Sequence, residues 1–482
     1  MSTDSTLQPK NLKRLFFLIL WAGFCILFGA AFGRYAESLF LTFIALAIIS
    51  FLVFLAMDVA FYLMLICWPF SFRYIFSSQM EVQTPTEPLL GMLVFAFLIR
   101  QIFNRVTKRE ESDQTETLLP FTLPLLSYIF AILLSTFNTP ELFVSVKGAT
   151  RAVVYMMSSF LAYELIRSRR DLYRLFVSIF PSAAIAVVWT TAVLIYRINM
   201  WQWTSAYQGS PFTNYAAYGA FTSIFLLIVL SRLLLDTSPY DRVLWTGLLI
   251  TFGLGLIMCF SRGVWLSVIA AIGFLLLQLG TGEQHKRNLL IGSIAVFILV
   301  ILSLPGVSSL ILDRISSIFS FQFASNKVRL LRWGQALVMF LQHPIIGNGY
   351  GAFAMLYEED VSLVGRYVVQ FRLGAHSEYL QVLAELGIVG FTAWMWVIVA
   401  FLRYGLHALH QIEDKFYRSL IIGLMAAELS MLVFCIFFSL PTGDELAIPF
   451  WLIYGLLPAV VNMANEEKLT EHQSNFDNKW GS

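Results

Sequence analysis

The sequence predicts an all-α polytopic membrane protein with about 12–14 transmembrane helices and one long extracytoplasmic loop that contains short helices. Three observations favour this fold class. Of the 482 residues, 58% are hydrophobic and only 13% are charged. Apolar runs that approach the length of a bilayer crossing recur along the whole chain. Lys and Arg cluster in the short breaks between these runs, which is typical of cytoplasmic loops.

About fourteen apolar runs are candidate spans, and each needs about 17 to 25 residues, or help from its flanks, to cross the bilayer. They are Leu15–Ala30, Leu39–Met57, Val59–Phe72, Leu89–Ile102, Leu119–Thr136, Val153–Ile166, Leu172–Tyr196, Ala217–Leu235, Val243–Phe260, Val264–Leu279, Leu289–Pro305, Tyr379–Tyr404, Leu420–Leu440 and Ala447–Val461. Val59–Phe72 is the weakest of them and also fits a short or re-entrant segment, so the prediction is a range.

The basic clusters set the predicted orientation. They lie at residues 105–109, 167–174, 286–287 and 415–418. With both termini inside, a fourteen-span count puts all of them in the cytoplasm and puts the long connection Gly306–Ala375 outside. The predicted organisation is a cytoplasmic N-terminus (1–14), an N-terminal transmembrane bundle (15–305), an extracytoplasmic catalytic loop (306–378), C-terminal transmembrane helices (379–463) and a cytoplasmic tail (464–482).

Charge and cysteine usage exclude several classes of function. The net charge of +2 gives no indication of nucleic-acid binding, so we expect no nucleic-acid partner. The four cysteines all lie inside apolar runs and lack metal-type spacing, which argues against a disulfide or zinc framework. We therefore expect neither a cofactor nor a bound metal.

His376 is the first residue that could carry chemistry. Of the six histidines, only His343 and His376 fall on the outer side of this topology. His376 lies in Ala375-His376-Ser377-Glu378-Tyr379-Leu380, where the long loop re-enters the membrane as a helix. The positive end of the helix dipole favours the neutral imidazole that a general base requires. The alternative is a histidine that only caps the helix or lines the interface.

Three arginines are predicted to lie on the same outer side of the membrane as His376. Arg262 occupies the short break Ser261-Arg262-Gly263 at the outer membrane boundary, where ionisable groups usually face a cavity or a partner. Arg329 and Arg332 are three residues apart, so they share one face of a helix in the long loop. Guanidinium groups bind phosphate oxygens bidentately, which indicates diphosphate recognition. The alternatives are a snorkelling arginine and an interfacial helix bound to lipid phosphate.

Other polar features are open to simpler interpretations. The acidic run Glu358-Glu359-Asp360 predicts a solvated turn and not a metal site, because consecutive carboxylates rarely converge on one ion. Gly347, Gly349 and Gly351 predict a tight structural turn, because no strand precedes them as a nucleotide loop would require. Glu385 and Glu428 fall inside apolar spans. They fit either a proton relay or buried hydrogen-bonded groups that hold helices together.

Three segments around the long loop carry a family resemblance. They are Ser261-Arg262-Gly263-Val264-Trp265, then Arg332-Trp333 through His343-Pro344 with Gly347 to Phe353, then His376 to Gly387 with Gly390. In order and spacing they resemble the signature region of the O-antigen ligase and O-antigen polymerase superfamily of bacterial membrane glycan transferases. The resemblance covers about the middle third of the chain.

The resemblance implies a function and a set of roles. Members take a glycan from a polyprenyl diphosphate carrier and join it to lipid A core or to another carrier-linked glycan, at the outer face of the bacterial inner membrane. The essential loop histidine carries over to His376, and the arginines carry over to Arg262 and Arg332. Arg329 is a further candidate ligand of the diphosphate because it shares the helix face of Arg332. Members frequently have Asn after that histidine, where this chain has Ser377.

The predicted function is therefore metal-independent glycan transfer with His376 as general base. His343, Glu378 and Tyr379 are predicted supporting residues, and membrane lipid is an expected partner. Protein O-oligosaccharyl transfer is an alternative within the superfamily. A multi-span transporter of a small solute or ion is the alternative from another class, although no internal repeat is evident. A structural scaffold explains the spans but not the outward cluster of Arg and His.

Overall fold

The structure, a computed structural model, is helical almost throughout the part of the chain that it describes. The described residues are 48–77, 80–107, 118–199, 210–212, 214–235, 239–279, 288, 291–292, 324–360, 374–440 and 444–480. The predicted span Leu15–Ala30, nearly all of Leu289–Pro305 and the first part of Leu39–Met57 lie outside the described residues.

Fourteen helices are numbered here in chain order within the described ranges, together with one β-hairpin. The helices are α1 Ile48–Leu55, α2 Met57–Cys67, α3 Thr86–Thr107, α4 Thr122–Ser135, α5 Leu142–Leu165, α6 Arg169–Asn199, α7 Tyr215–Leu235, α8 Pro239–Met258, α9 Arg262–Gln278, α10 Ala324–Gln342, α11 Ala352–Asp360, α12 Glu378–Gln411, α13 Lys415–Phe434 and α14 Asp444–Trp480. The strands are β1 Phe72–Ser77 and β2 Met80–Thr84.

The predicted fold class, a helical polytopic membrane protein, is confirmed by the helices of the described residues. Within the described residues, seven helices are long and apolar enough to cross a membrane, and the count reaches eight if each bent pair is one span. The bent pair is Ile48–Leu55 with Met57–Phe70, and the helix axis bends by 112° at the break between them. This break falls near the end of the predicted span Leu39–Met57, just before the weak segment Val59–Phe72. Two shorter apolar helices, Thr122–Asn138 and Arg262–Gln278, accompany the longer ones.

Helices α7, α13 and α14 form the centre of the bundle. In these three helices, between 78% and 94% of the apolar segment is buried inside the protein, whereas in α8 only 22% of the apolar segment is buried. Helices that are apolar on all sides are buried in this way, while the outer helices present apolar faces to lipid. Small residues allow close approach at the centre. A Cβ at Gly423 would lie 3.0 Å from the Ile228 Cα, which couples α13 tightly to α7.

The antiparallel β-hairpin is the one departure from an all-α prediction in the described chain. Phe72 pairs with Thr84 and Tyr74 pairs with Val82. The apolar run Val59–Phe72 predicted a span that reaches Phe72. In the structure, α2 ends at Cys67 and a short 3-10 turn containing Pro69 follows. Proline and the alternating side chains after it favour an extended chain, so the observed helix ends before the predicted end of the span at Phe72.

The predicted glycine turn is confirmed, and it packs directly on the α12 backbone. The Gly349 N–H donates to the Glu385 carbonyl at 3.0 Å, and the Ile388 N–H donates to the Pro344 carbonyl at 2.9 Å. Gly347 has a φ of +73° and Gly387 has a φ of +63°. A Cβ on either glycine would collide with the backbone of the other segment, so only glycine fits at both positions. The turn therefore fixes the end of α10 against α12, which is interrupted at Gly387.

Candidate functional site

A cavity opens where α7 and α9 begin and where α13 ends. Its polar lining includes Arg329 and His376, and its apolar wall includes Phe434, Phe437 and Phe438. No acidic side chain is among the described residues that line it. A concave, mostly apolar pocket with a few convergent polar groups is the usual form of a ligand site. The charge of these groups favours an anionic ligand.

Helix α10 presents its arginines inward and its leucines outward. Arg332 is only 3% exposed, and Arg329 lies on the same face and lines the cavity. On the opposite face, Leu331 is 59% exposed and Leu341 is 74% exposed. A soluble helix would bury its apolar face instead. The shared arginine face predicted from the spacing of Arg329 and Arg332 is thus confirmed.

His376 lies two residues before α12 begins at Glu378. Its backbone has a φ of +56°, which is uncommon for a residue other than glycine and costs free energy. Its carbonyl accepts a hydrogen bond from Trp333 Nε1 at 3.4 Å, and its ring lies 5.9 Å from the Phe438 ring. Contacts from α10 and from the end of α13 therefore surround the histidine.

The imidazole of His376 is kept neutral by its surroundings. Burial first, and then the positive charges of Arg332 and Arg329, together lower the pKa of His376 from 6.5 to about 3. The sequence analysis attributed a neutral imidazole to the helix dipole, whereas burial and the two arginines are the causes in the structure. Burial likewise lowers the pKa of Arg329.

Arg262 joins the two helices that border the cavity. It is the first residue of α9, and its Nη2 donates to Asn326 Oδ1, in the first turn of α10, at 3.2 Å. Its neighbours Ser261 and Gly263 line the cavity. The structure thus brings Arg262, Arg329 and His376 to one end of the bundle, although they are far apart in the sequence.

The segment that carries this site has a known family. The family model described as O-antigen ligase matches residues 247–395, which include the three arginines and His376. This segment, which is less than a third of the chain, is similar to the O-antigen ligase family. The match supports glycan ligation as the general activity and lipopolysaccharide biosynthesis as its setting. Among curated proteins, no relative matches the chain.

The three predicted supporting residues lie outside the cavity lining of the O-antigen ligase domain. His343 is exposed at the end of α10. The Tyr379 hydroxyl donates to the Leu432 carbonyl at 3.2 Å, and its ring packs edge-on against Trp394. Tyr379 therefore joins α12 to α13 in the bundle.

Glu378 lines a second cavity on the other side of the first turn of α12. Its Oε2 accepts a hydrogen bond from the Leu440 N–H at 2.7 Å, and its own N–H donates to the Cys435 carbonyl at 2.8 Å. Arg151 and Tyr350 line the same second cavity. Glu378 thus ties the start of α12 to the segment that follows α13, and that segment also supplies Phe437 and Phe438.

Three further residues bond around the site without having been predicted as site residues. Trp333, Asn326 and Gln381 make hydrogen bonds around the site, but each lies within a helix where one polar or aromatic residue carries no distinct signal. Within the described residues, no group of three or more His, Cys, Asp and Glu side chains could hold a metal ion. Among the described residues beside the cavity, the cationic side chains are the guanidinium groups of Arg262, Arg329 and Arg332.

Proposed function

We propose that this chain transfers a glycan from a polyprenyl diphosphate carrier to a hydroxyl group of a lipid-linked acceptor. One observation carries the proposal. A neutral imidazole and an arginine line the same cavity in the O-antigen ligase domain, with two further arginines beside it and no carboxylate in its described lining. This arrangement combines a base with an anion site, which are the two elements that displacement of a diphosphate requires.

The arginines bind the donor diphosphate. Arg329 lines the cavity, Arg332 is buried one turn further along α10, and Arg262 borders the cavity from α9. Guanidinium groups match phosphate oxygens in charge and in planar geometry, and they act strongly where water is excluded. They hold the donor in the ground state and stabilise the negative charge that builds on the leaving diphosphate.

His376 acts as the general base. The acceptor hydroxyl gives its proton to the imidazole while its oxygen attacks the anomeric carbon of the donor sugar. The bond from this carbon to the diphosphate oxygen breaks, and polyprenyl diphosphate leaves with the bonding electrons. Because this is a single displacement, the configuration at the anomeric carbon inverts. The bound diphosphate offsets the arginine charges, which raises the pKa of His376 towards the range where an imidazole is an effective base.

The acceptor is either lipid A core or a second carrier-linked glycan. Both are held at a membrane surface, and the exposed apolar face of α10 fits the outer surface of the bacterial inner membrane. The positions of the basic clusters in the short loops favour an extracytoplasmic active face. Against the transporter alternative, Glu385 accepts hydrogen bonds from the backbone N–H groups of Gly351 and Phe353, so its carboxylate holds a turn.

The pH dependence of the reaction follows from the low pKa of His376. Because kcat/KM reports the free enzyme, it should stay nearly constant between about pH 8 and pH 5, since the imidazole remains unprotonated over this range. The acid limb of kcat should lie at higher pH, because the bound donor raises the pKa. Profiles of both parameters for purified protein check this. A kcat/KM that falls tenfold per pH unit below about pH 6.5, the ordinary pKa of histidine, would contradict it.

Transfer should not need an added metal ion. Diphosphate is already a good leaving group, and the guanidinium groups supply the positive charge that a divalent cation would otherwise provide. Activity measured after dialysis against a chelator should equal that of untreated protein. Loss of activity in chelator, followed by recovery with magnesium, would contradict this expectation.

The function is tested with purified protein in detergent. A labelled glycan on its polyprenyl diphosphate carrier is the donor, and lipid A core and a second carrier-linked repeat are offered separately as acceptors. Product with one acceptor would support the transferase and distinguish a ligase from a polymerase. No product with either acceptor, from protein shown to be folded, would favour the transporter alternative.

A further inference from the structure

The residues just before α12 are held by side chains from two helices. From α10, Arg332 Nη1 donates to the Gly374 carbonyl at 3.3 Å, and Trp333 Nε1 donates to the His376 carbonyl at 3.4 Å. The arginine helix therefore bonds to the backbone on both sides of Ala375. These bonds attach the backbone of the base directly to the helix that carries the diphosphate ligands.

The third attachment comes from α12. Gln381 Oε1 accepts a hydrogen bond from the Ala375 N–H at 3.1 Å. Its Nε2 donates to Glu385 Oε1, one turn further along the helix, at 3.3 Å. Both ends of the amide are in use, so the orientation of Gln381 is fixed. Its Oε1 also lies against Gly374, where a Cβ would collide with it.

Glu385 extends this chain of hydrogen bonds to the glycine turn. It is only 3% exposed, and its two carboxylate oxygens accept the Gly351 N–H at 2.8 Å and the Phe353 N–H at 3.2 Å. The turn follows α10 directly and bonds to the α12 backbone. A continuous path of hydrogen bonds therefore runs from the turn after the arginine helix, through Glu385 and Gln381, to the residue before the histidine.

We propose that Gln381 and Glu385 are positioning residues that fix His376 relative to the arginines of α10. The inference rests on the proposed transfer reaction, in which His376 is the base. His376 has an unfavourable backbone conformation, with a φ of +56°, which persists only where surrounding contacts impose it. Gln381 supplies one of these contacts. Glu385 bonds to the glycine turn and to the amide of Gln381 with the same carboxylate. One side chain therefore positions both the turn that follows the arginine helix and the glutamine that holds the segment before His376.

The direct test is Gln381→Met, which keeps the length of the side chain and removes both hydrogen bonds. The matched control is Gln411→Met, at the exposed far end of α12. In the transfer assay, Gln381→Met should lower kcat by about tenfold to a hundredfold, because a displacement of the base near 1 Å has effects of this size. The KM for the donor should change little, since the arginines stay in place. Gln411→Met should match the wild type.

Hydrogen–deuterium exchange of the full chain in detergent gives a readout that needs no activity. In Gln381→Met, the peptide containing Ala375 should exchange faster, while the peptide containing Gly351 and Phe353 should not change. In Glu385→Gln, both peptides should exchange faster, because an amide offers one acceptor oxygen where the carboxylate offers two.

Two outcomes would overturn the proposal. The first is a wild-type kcat in Gln381→Met, and the second is unchanged exchange at Ala375 in that variant. Failure of the proposed function is distinguishable from either, because wild-type protein would then give no product. In that case, the exchange experiment still decides whether Gln381 and Glu385 restrain the segment that contains His376.

Discussion

Replacing His376 with alanine is expected to lower the rate of glycan transfer by about 10²- to 10⁴-fold, the usual contribution of a general base. The imidazole lines the cavity and is held neutral by burial and by Arg332 and Arg329. Alanine leaves the arginines in place, so donor binding should persist while turnover is lost. Steady-state rates with purified variants in detergent measure this effect.

The control for this experiment is His410→Ala. His410 is exposed near the opposite end of α12, far along the helix from the cavity. It should keep wild-type turnover. Unchanged turnover in His376→Ala, with protein of normal size and helicity, would exclude His376 as the base.

Replacing Arg332 with methionine is expected to lower kcat by about 10²- to 10³-fold, as removal of one preorganised charge-stabilising donor does in other enzymes. Arg332 is 3% exposed, and methionine fills a similar volume without a buried charge. Donor affinity should also fall, because a phosphate ligand is lost. Rates and donor binding are measured on the same preparation.

Arg332→Lys and Arg403→Met complete this series. Lysine restores the charge but not the planar fork of donors, so Arg332→Lys should recover only part of the lost activity. Arg403 is exposed on α12, and its replacement should have no effect on the rate. Equal kcat values in wild type and Arg332→Met would remove Arg332 from the proposed anion site.

Much of the architecture could be predicted from the sequence, because membrane helices are encoded locally by apolar runs. The predicted arginine face of α10 and the glycine turn also followed from local spacing. The β-hairpin could not be predicted in this way, because the apolar run ends at Phe72 and the mixed polar residues after it resemble an ordinary connection between two spans. The interruption of α12 at Gly387 depends on the backbone near Ile345, which is distant in the sequence.

The site was predictable in its charged residues but not in their arrangement. His376 and the arginines are noticeable because charged and titratable groups are rare in this chain. Glu378 is adjacent to His376 in sequence, yet it lines a different cavity because α12 begins at this residue and turns its side chain away. Gln381 has no local signal, since its significance comes from Ala375 and Glu385 in the folded chain.

The most direct test of the central claim is the stoichiometry of the reaction catalysed by purified protein. The donor is a glycan on polyprenyl diphosphate, and the measurement compares the amount of glycan joined to the acceptor with the amount of free polyprenyl diphosphate released. We expect one molecule released for each glycan transferred, with inverted configuration at the anomeric carbon. Transfer with retained configuration, or no transfer by folded protein to either acceptor, would contradict it.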